Sequence, residues 1–214
     1  MYRPYIDLAK KVFPNANIVV DKFHIVQLLT RELNKLRINE MKKLNTRSKE
    51  YKILKRYWKI PLTKNWELNR IYFYKNIHFK NMTSSVDILD YMLGKFPNLK
   101  EAYDFYQNFL LSISNNDVAM LEDILNTRTD KIPMCFRKSI KTLKKLKKYV
   151  VNSLKYDYTN AMVEGKNNKI KVIKRVSYGY RSFRNFKARI MLMERYKIQK
   201  GNIHSYKFAM DAAV

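Results

Sequence analysis

Apolar residues recur every three to four positions through much of this 214-residue sequence, and one short run stands out against that rhythm as a strand. Asn17-Ile18-Val19-Val20-Asp21 is β-branched, apolar on both faces and closed by an acid, the pattern of a buried strand in a parallel sheet. Everything around it reads as helix. Before it, Tyr5, Leu8, Ala9 and Val12 form one helical stripe behind Pro4, and Pro14 ends that helix by pushing its predecessor out of the α region. After it, Asp21 can cap a helix with the stripe Ile25, Val26, Leu29, Leu33 and Leu36, running into the mid-40s. Val86, Leu89, Asp90 and Leu93 set a further period. Leu99, Ala102, Tyr103 and Tyr106 set another, and Val118, Leu121, Ile124 and Leu125 a third. Leu143, Leu146, Val150 and Leu154 give the buried side of a basic helix from Ile140 to Leu154. The expected fold class is therefore mainly α with a residual α/β part.

Charge adds the second constraint. The chain carries 44 Lys+Arg against 18 Asp+Glu, a formal net charge of +26. With 46% hydrophobic and 14% aromatic residues it is too apolar to be a disordered polycation, so a folded protein that meets a polyanion is expected. The charge is uneven: residues 22–80 and 164–200 are strongly basic, whereas residues 83–130 hold 3 basic and 8 acidic side chains. A block of opposite sign reads as an insertion facing away from the polyanion. The lone cysteine, Cys135, excludes a disulfide scaffold and reads as a small buried apolar residue. No apolar run approaches the roughly 20 residues needed to span a bilayer, and the N-terminus has no secretory signal pattern. A soluble cytoplasmic protein is expected.

The most informative segment is residues 159–175. Thr159 or Asn160 can act as N-cap. On the helix beyond, Glu164, Asn167, Asn168, Lys171, Lys174 and Arg175 fall on one polar face, with a single acid among amides and bases. A lone carboxylate on a phosphate-attracting surface weakens that attraction unless a divalent cation lies between. Gly165 removes a side chain beside it and permits close approach. Residues 176–189 then interleave aromatics with Arg181, Arg184 and Arg189, so that rings can stack on bases while guanidinium groups hold phosphates. The aromatic and basic stretch Tyr51–Phe79 is read as helices broken around Pro61, its rings core rather than base-stacking. The Lys138–Lys148 run is either a solvated face or a phosphate contact. Asp21 is either a helix cap or, 143 residues before Glu164, a second site carboxylate at a strand end.

The run TNAMVEGKNNKIKVIKRVSYGYRSFRNFKARI (residues 159–190) resembles the C-terminal signature of ISL3-type transposases of bacterial insertion sequences, and FPNANIVVDKFHIVQLL (residues 13–29) is similar to a second signature of that group. The resemblance spans nearly the whole chain. It implies a DDE-type enzyme with a ribonuclease-H-like core, in which three carboxylates hold two Mg²⁺ (or Mn²⁺) ions for in-line attack on a DNA phosphodiester. By motif, Glu164 corresponds to the third acid and metal ligand, with Asp21 and His24 beside the site as accessory residues. The second acid would be the residue immediately before Met1, and the first would lie further upstream. The chain is accordingly expected to be the C-terminal part of a transposase, starting at an internal methionine and catalytically incomplete. Residues 1–45 would be a partial core (helix, one strand, helix), 46–155 a helical insertion, 156–200 the catalytic and DNA-contact helices, and 201–214 a tail. Lys166, Lys169, Lys171, Lys174, Arg175, Arg181, Arg184 and Arg189 are the expected DNA contacts. Transposon-end DNA is the implied partner, with a homo-oligomer as the implied assembly. The alternative is a basic DNA- or RNA-binding protein that is no enzyme, whose carboxylates are structural. In either case the Asn17–Val20 strand, without earlier strands beside it, would present an unpaired edge.

Overall fold

The computed structural model describes residues 3–156, 158–199 and 202–205. The chain is mainly helical and divides into two compact units, residues 1–158 and 159–214.

In the first unit, α1 (Arg3–Val12) precedes a turn and an irregular segment, and α2 (Lys22–Lys42) follows it. Asp21 caps α2 as its sequence position suggests, its carboxylate accepting the Phe23 N–H at 2.7 Å. The stripe continues one step beyond the expected apolar positions: Ile25, Leu29, Leu33 and Arg37 are all buried. Arg37 belongs on that stripe because it ends α3 (Lys49–Arg56) from the side. Its guanidinium donates to the Leu54 carbonyl at 2.6 Å, and its Nε donates to Asn34 Oδ1 at 2.9 Å. The last carbonyls of a helix lack intrahelical donors, so a buried cation there finds partners without a carboxylate. Burial pulls the Arg37 pKa down from its ordinary value.

Helix α2 is the axis of the unit and packs against α3, α5 (Pro97–Ser114) and α8 (Lys147–Lys155). Leu99, Ala102, Tyr103 and Tyr106 of α5 are buried, as their spacing predicts. Tyr106 hydroxyl and Thr30 Oγ1 meet at 2.8 Å and join α5 to α2. Helix α4 (Ser85–Lys95) starts in a capping box in which Ser84 and Asp87 each satisfy the other's backbone N–H. Its buried side is Ile88, Leu89, Met92 and Leu93, and the expected member Asp90 is exposed. Helix α6 (Val118–Asn126) buries Leu121 and Leu125.

Several expectations need correction. The Asn17–Val20 run forms no strand and pairs with none among the described residues. Helix α8 takes the place of a sheet neighbour: the Val20 N–H donates to the Tyr149 carbonyl at 3.4 Å, and Asn152 Nδ2 donates to the Ile18 carbonyl at 2.9 Å. Val20 is buried, so no bare apolar edge results. The single helix expected over 140–154 is two helices, α7 (Arg137–Lys145) and α8, broken where the Leu146 N–H bonds to the Leu143 carbonyl. The tightened turn re-aims the helix while Leu143, Val150 and Leu154 all stay buried. Tyr51–Phe79 is not predominantly core: Trp58, Trp66, Tyr72 and Phe73 are exposed on a stretch of short 3₁₀ turns and loop. The α1 stripe is also uncovered, with Tyr5, Leu8 and Val12 exposed.

The second unit is built from α9 (Ala161–Val176), a tight turn, α10 (Phe183–Arg195) and an antiparallel pair, β1 (Tyr196–Gln199) with β2 (Asn202–Ser205). Strand β1 lies within the segment 156–200 expected to be helical and β2 within the expected tail; the rest of 201–214 lies outside the described residues.

Candidate nucleic-acid interface

The candidate site is assembled on α9 and α10. Asn160 holds the N-cap position of α9, and Thr159 Oγ1 accepts the Ala161 N–H at 3.4 Å. The Glu164 N–H donates to the Asn160 carbonyl at 2.9 Å, which places Glu164 in the first helical turn. A carboxylate there is favoured by the helix dipole, so the lone acid is tolerated in a basic helix on local grounds alone. Gly165 beside it faces open space: beyond its own helix backbone and chain neighbours, nothing lies within 4 Å of where a Cβ would stand.

Along α9, Lys166, Lys169, Lys171, Lys174 and Arg175 are all exposed, as are Arg181, Arg184 and Arg189 beyond it. They do not form one set. Lys171, Lys174 and Arg175 stand at i+7, i+10 and i+11 from Glu164 and share its face. Lys169 turns toward α10, where its ammonium donates to the Met193 carbonyl at 3.1 Å. Ile173 is buried between these positions.

The α9–α10 connection is closed by two backbone bonds, Tyr178 N–H to the Arg175 carbonyl at 3.1 Å and Gly179 N–H to the Lys174 carbonyl at 3.2 Å. This is the Schellman pattern, and it puts Tyr178 at φ 51° and Gly179 at φ 101°. Tyr180 locks the turn: its hydroxyl meets Ser177 Oγ at 2.8 Å and its ring lies 4.9 Å from that of Phe186. Beside the turn is an open cleft lined by Ser177, Gly179, Tyr180, Asn185 and Arg189. Of the aromatics in the 176–189 run that the sequence offers for base stacking, Tyr178 is fully exposed, whereas Tyr180 packs on Phe186.

The other sequence candidates fall in the first unit. Asp21 is the α2 cap, and His24 is exposed on the same first turn with its ring edge-on to Phe23. Of the Lys138–Lys148 run, Lys138, Lys141, Lys145 and Lys148 are exposed. Lys144 donates to the Thr127 carbonyl at 2.9 Å, and Lys147 pairs with Glu122 at 3.2 Å. Among the described residues no three His, Cys, Asp or Glu side chains come together, and Glu164 alone is too few ligands for Mg²⁺ or Mn²⁺. No helix of the described residues is long and apolar enough to cross a membrane.

A basic, largely helical chain with a single acid in the first turn of a cationic helix is the class that fold and site define. Residues 1–190 match the ISL3-type DDE family described as Transposase, and the chain belongs to that family. A Lactococcus lactis subsp. lactis protein named "ATP-dependent protease" is 39% identical over 121 residues, covering 56% of this chain and 38% of that protein. The chain therefore spans well under half the length of that relative. No solved structure matches.

Proposed function

We propose that this chain serves DNA transposition, with the α9–α10 hairpin lying along the DNA backbone and Glu164 in the place of the third DDE acid. The observation that carries the proposal is the face shared by Glu164, Lys171, Lys174 and Arg175, all exposed, in a chain of this family. Cations at that spacing meet successive phosphates, and such contacts set register without reading sequence. The family's chemistry uses divalent metal ions on a ribonuclease-H-like core. The described residues do not assemble such a metal site. Transposon-end DNA as the ligand, and self-association on it, follow from the same reading.

The relative's name suggests a second reading, an ATP-dependent protease. The sequence has only two Gly-Lys pairs, Gly94-Lys95 and Gly165-Lys166, and neither is followed by Ser or Thr as a phosphate-binding loop requires. That reading has no support from these residues. A binder without enzymatic activity is the more serious rival, and metal dependence separates the two.

The test uses the full chain with supercoiled and linear DNA, in EDTA and then in Mg²⁺ or Mn²⁺. Salt-sensitive binding in EDTA is expected, slightly tighter for Glu164→Gln because a negative charge leaves the phosphate-facing surface. Any metal-dependent nicking should vanish in Glu164→Gln. Nicking that survives the substitution removes Glu164 from the chemistry, and an absence of DNA affinity removes the whole reading.

A further inference from the structure

We infer that Tyr178, at the tip of the α9–α10 hairpin, is a base-stacking residue that engages an unpaired DNA base while the neighbouring arginines hold the flanking phosphates. The inference rests on the DNA reading above and adds to it a residue and a preferred nucleic-acid form.

The first observation is a backbone comparison within the chain. Helix α5 ends in the same Schellman geometry as α9: Asn116 N–H donates to the Ile113 carbonyl at 3.3 Å and Asp117 N–H to the Ser112 carbonyl at 2.9 Å. The left-handed position there is Asn116, at φ 54°, and Asn is among the few side chains that tolerate that region. At the end of α9 the same position, at φ 51°, holds a tyrosine. A bulky side chain in the left-handed region is disfavoured, so it needs a compensating reason.

Burial does not supply that reason. Tyr178 is 102% exposed, the fullest exposure among the large hydrophobic side chains described. Nor is its ring required to close the turn, because Tyr180 does so through Ser177 and Phe186. The chain on either side of the ring is cationic: Arg175 lies in the last turn of α9, Arg181 two residues beyond the turn, and Arg184 at the start of α10, all exposed. Arg189 and Asn185 line the adjoining cleft. An exposed aromatic ring at a helix-hairpin turn, with arginines on the elements that flank it, is suited to stack on a base while those arginines meet phosphates. Paired bases in a duplex are already stacked on both faces, so the ring favours a base that is unpaired, bulged or at a frayed end.

The experiment measures affinity of the full chain for three probes: a perfect duplex, the same duplex with one bulged 2-aminopurine, and single-stranded DNA. The variants are Tyr178→Phe and Tyr178→Asn, the latter chosen because Asn116 already fills the equivalent position. Tyr178→Asn should lose roughly tenfold in affinity for the bulged and single-stranded probes, keep its duplex affinity within about twofold, and abolish stacking-induced quenching of 2-aminopurine. Tyr178→Phe should match the parent on all three probes. Unchanged affinity of Tyr178→Asn for the bulged and single-stranded probes would overturn the inference while leaving DNA binding intact. An equal loss on every probe, or a fall in thermal stability, would overturn it by making the ring a backbone contact or a structural group. A parent chain that binds none of the probes would remove both this inference and the reading beneath it.

Discussion

Replacing Lys171, Lys174 and Arg175 together with Gln should flatten the salt dependence of DNA binding by a calculable amount. Gln is unbranched and polar with a helix propensity close to that of Lys and Arg, so α9 is preserved while three charges leave one face. Each phosphate neutralised contributes about 0.9 to the slope of log affinity against log salt, so three contacts contribute about 2.7. Over a fourfold rise in salt, from about 50 to about 200 mM, the parent should lose about fortyfold more affinity than the triple variant. Lys169→Gln provides the internal control. Its ammonium is already bonded to the Met193 carbonyl, so a phosphate contact would first cost that bond, and its removal should change the slope by about 0.5 or less. Fluorescence anisotropy with a labelled duplex at four salt concentrations, in EDTA, measures both slopes. A triple variant with the parental slope would show that this face carries no phosphate. A Lys169→Gln effect as large as that of Lys171→Gln would show that the division of α9 into two faces is wrong.

Four further outcomes test the structure. The Tyr103 hydroxyl is buried with no hydrogen-bond partner among the described residues, and burial pushes its pKa up to about 12; Tyr103→Phe should hold or raise stability by up to about 1 kcal/mol in urea unfolding, and a clear loss would mean the hydroxyl is satisfied. Desolvation raises the Cys135 thiol to about 11, so alkylation by iodoacetamide at pH 8 should be about a hundredfold slower than for an exposed cysteine of ordinary pKa, a difference that urea erases. The His78 pKa lies below its ordinary value, first through burial and then through Arg56, Lys52 and Lys49. The unfolded chain therefore binds that proton more readily, and stability falls as pH drops through the unfolded value toward the folded one. His78→Gln should flatten the difference in urea midpoint between pH 7.5 and pH 5.5, and an NMR titration placing His78 at or above about 6.5 would refute the assignment. Gly165→Ala should stabilise α9 by about 0.5–1 kcal/mol, since no atom stands near the added carbon; a simultaneous loss of DNA affinity would locate a ligand against that position.

Helix faces were legible where burial followed a regular period. The Leu99–Tyr106 stripe of α5 and the Leu121–Leu125 pair of α6 could be read directly, because each helix lies in the core along one side. The reading failed where position depended on something other than local pattern. Asn17–Val20 has the composition of a strand, but a ladder needs a neighbour, and α8 supplies its hydrogen bonds instead. The α1 stripe has helical spacing, yet Tyr5 and Leu8 are exposed, because periodicity reports a face and not what covers it. The Tyr51–Phe79 rings lack any period. Lys59 and Lys64 lie over the rings of Trp58 and Trp66, at 5.5 and 5.9 Å, on a surface that composition could not distinguish from a core. At the candidate site, the exposure of the cations was legible, and the diversion of Lys169 to α10 was not, because it depends on where a second helix passes.

Glu164 stands where an acid costs a basic helix least. In the first turn of α9 the helix dipole favours its carboxylate, whereas the same acid in the last turn, beside Lys174 and Arg175, would oppose the dipole. A basic helix that must present one negative group among cations can do so at low cost at its N-terminus. The two readings of Glu164, a dipole-favoured first-turn acid and a member of a catalytic triad, therefore share the same geometry and differ in their response to ligands. If the dipole alone explains the residue, Glu164→Gln lowers helix stability by about 0.3–1 kcal/mol and changes DNA binding equally with and without divalent metal. If the carboxylate works on DNA, the substitution tightens binding in EDTA and loses that advantage when Mg²⁺ is added, because the cation offsets the charge the substitution removed. The metal dependence of the ratio between the two affinities decides between them.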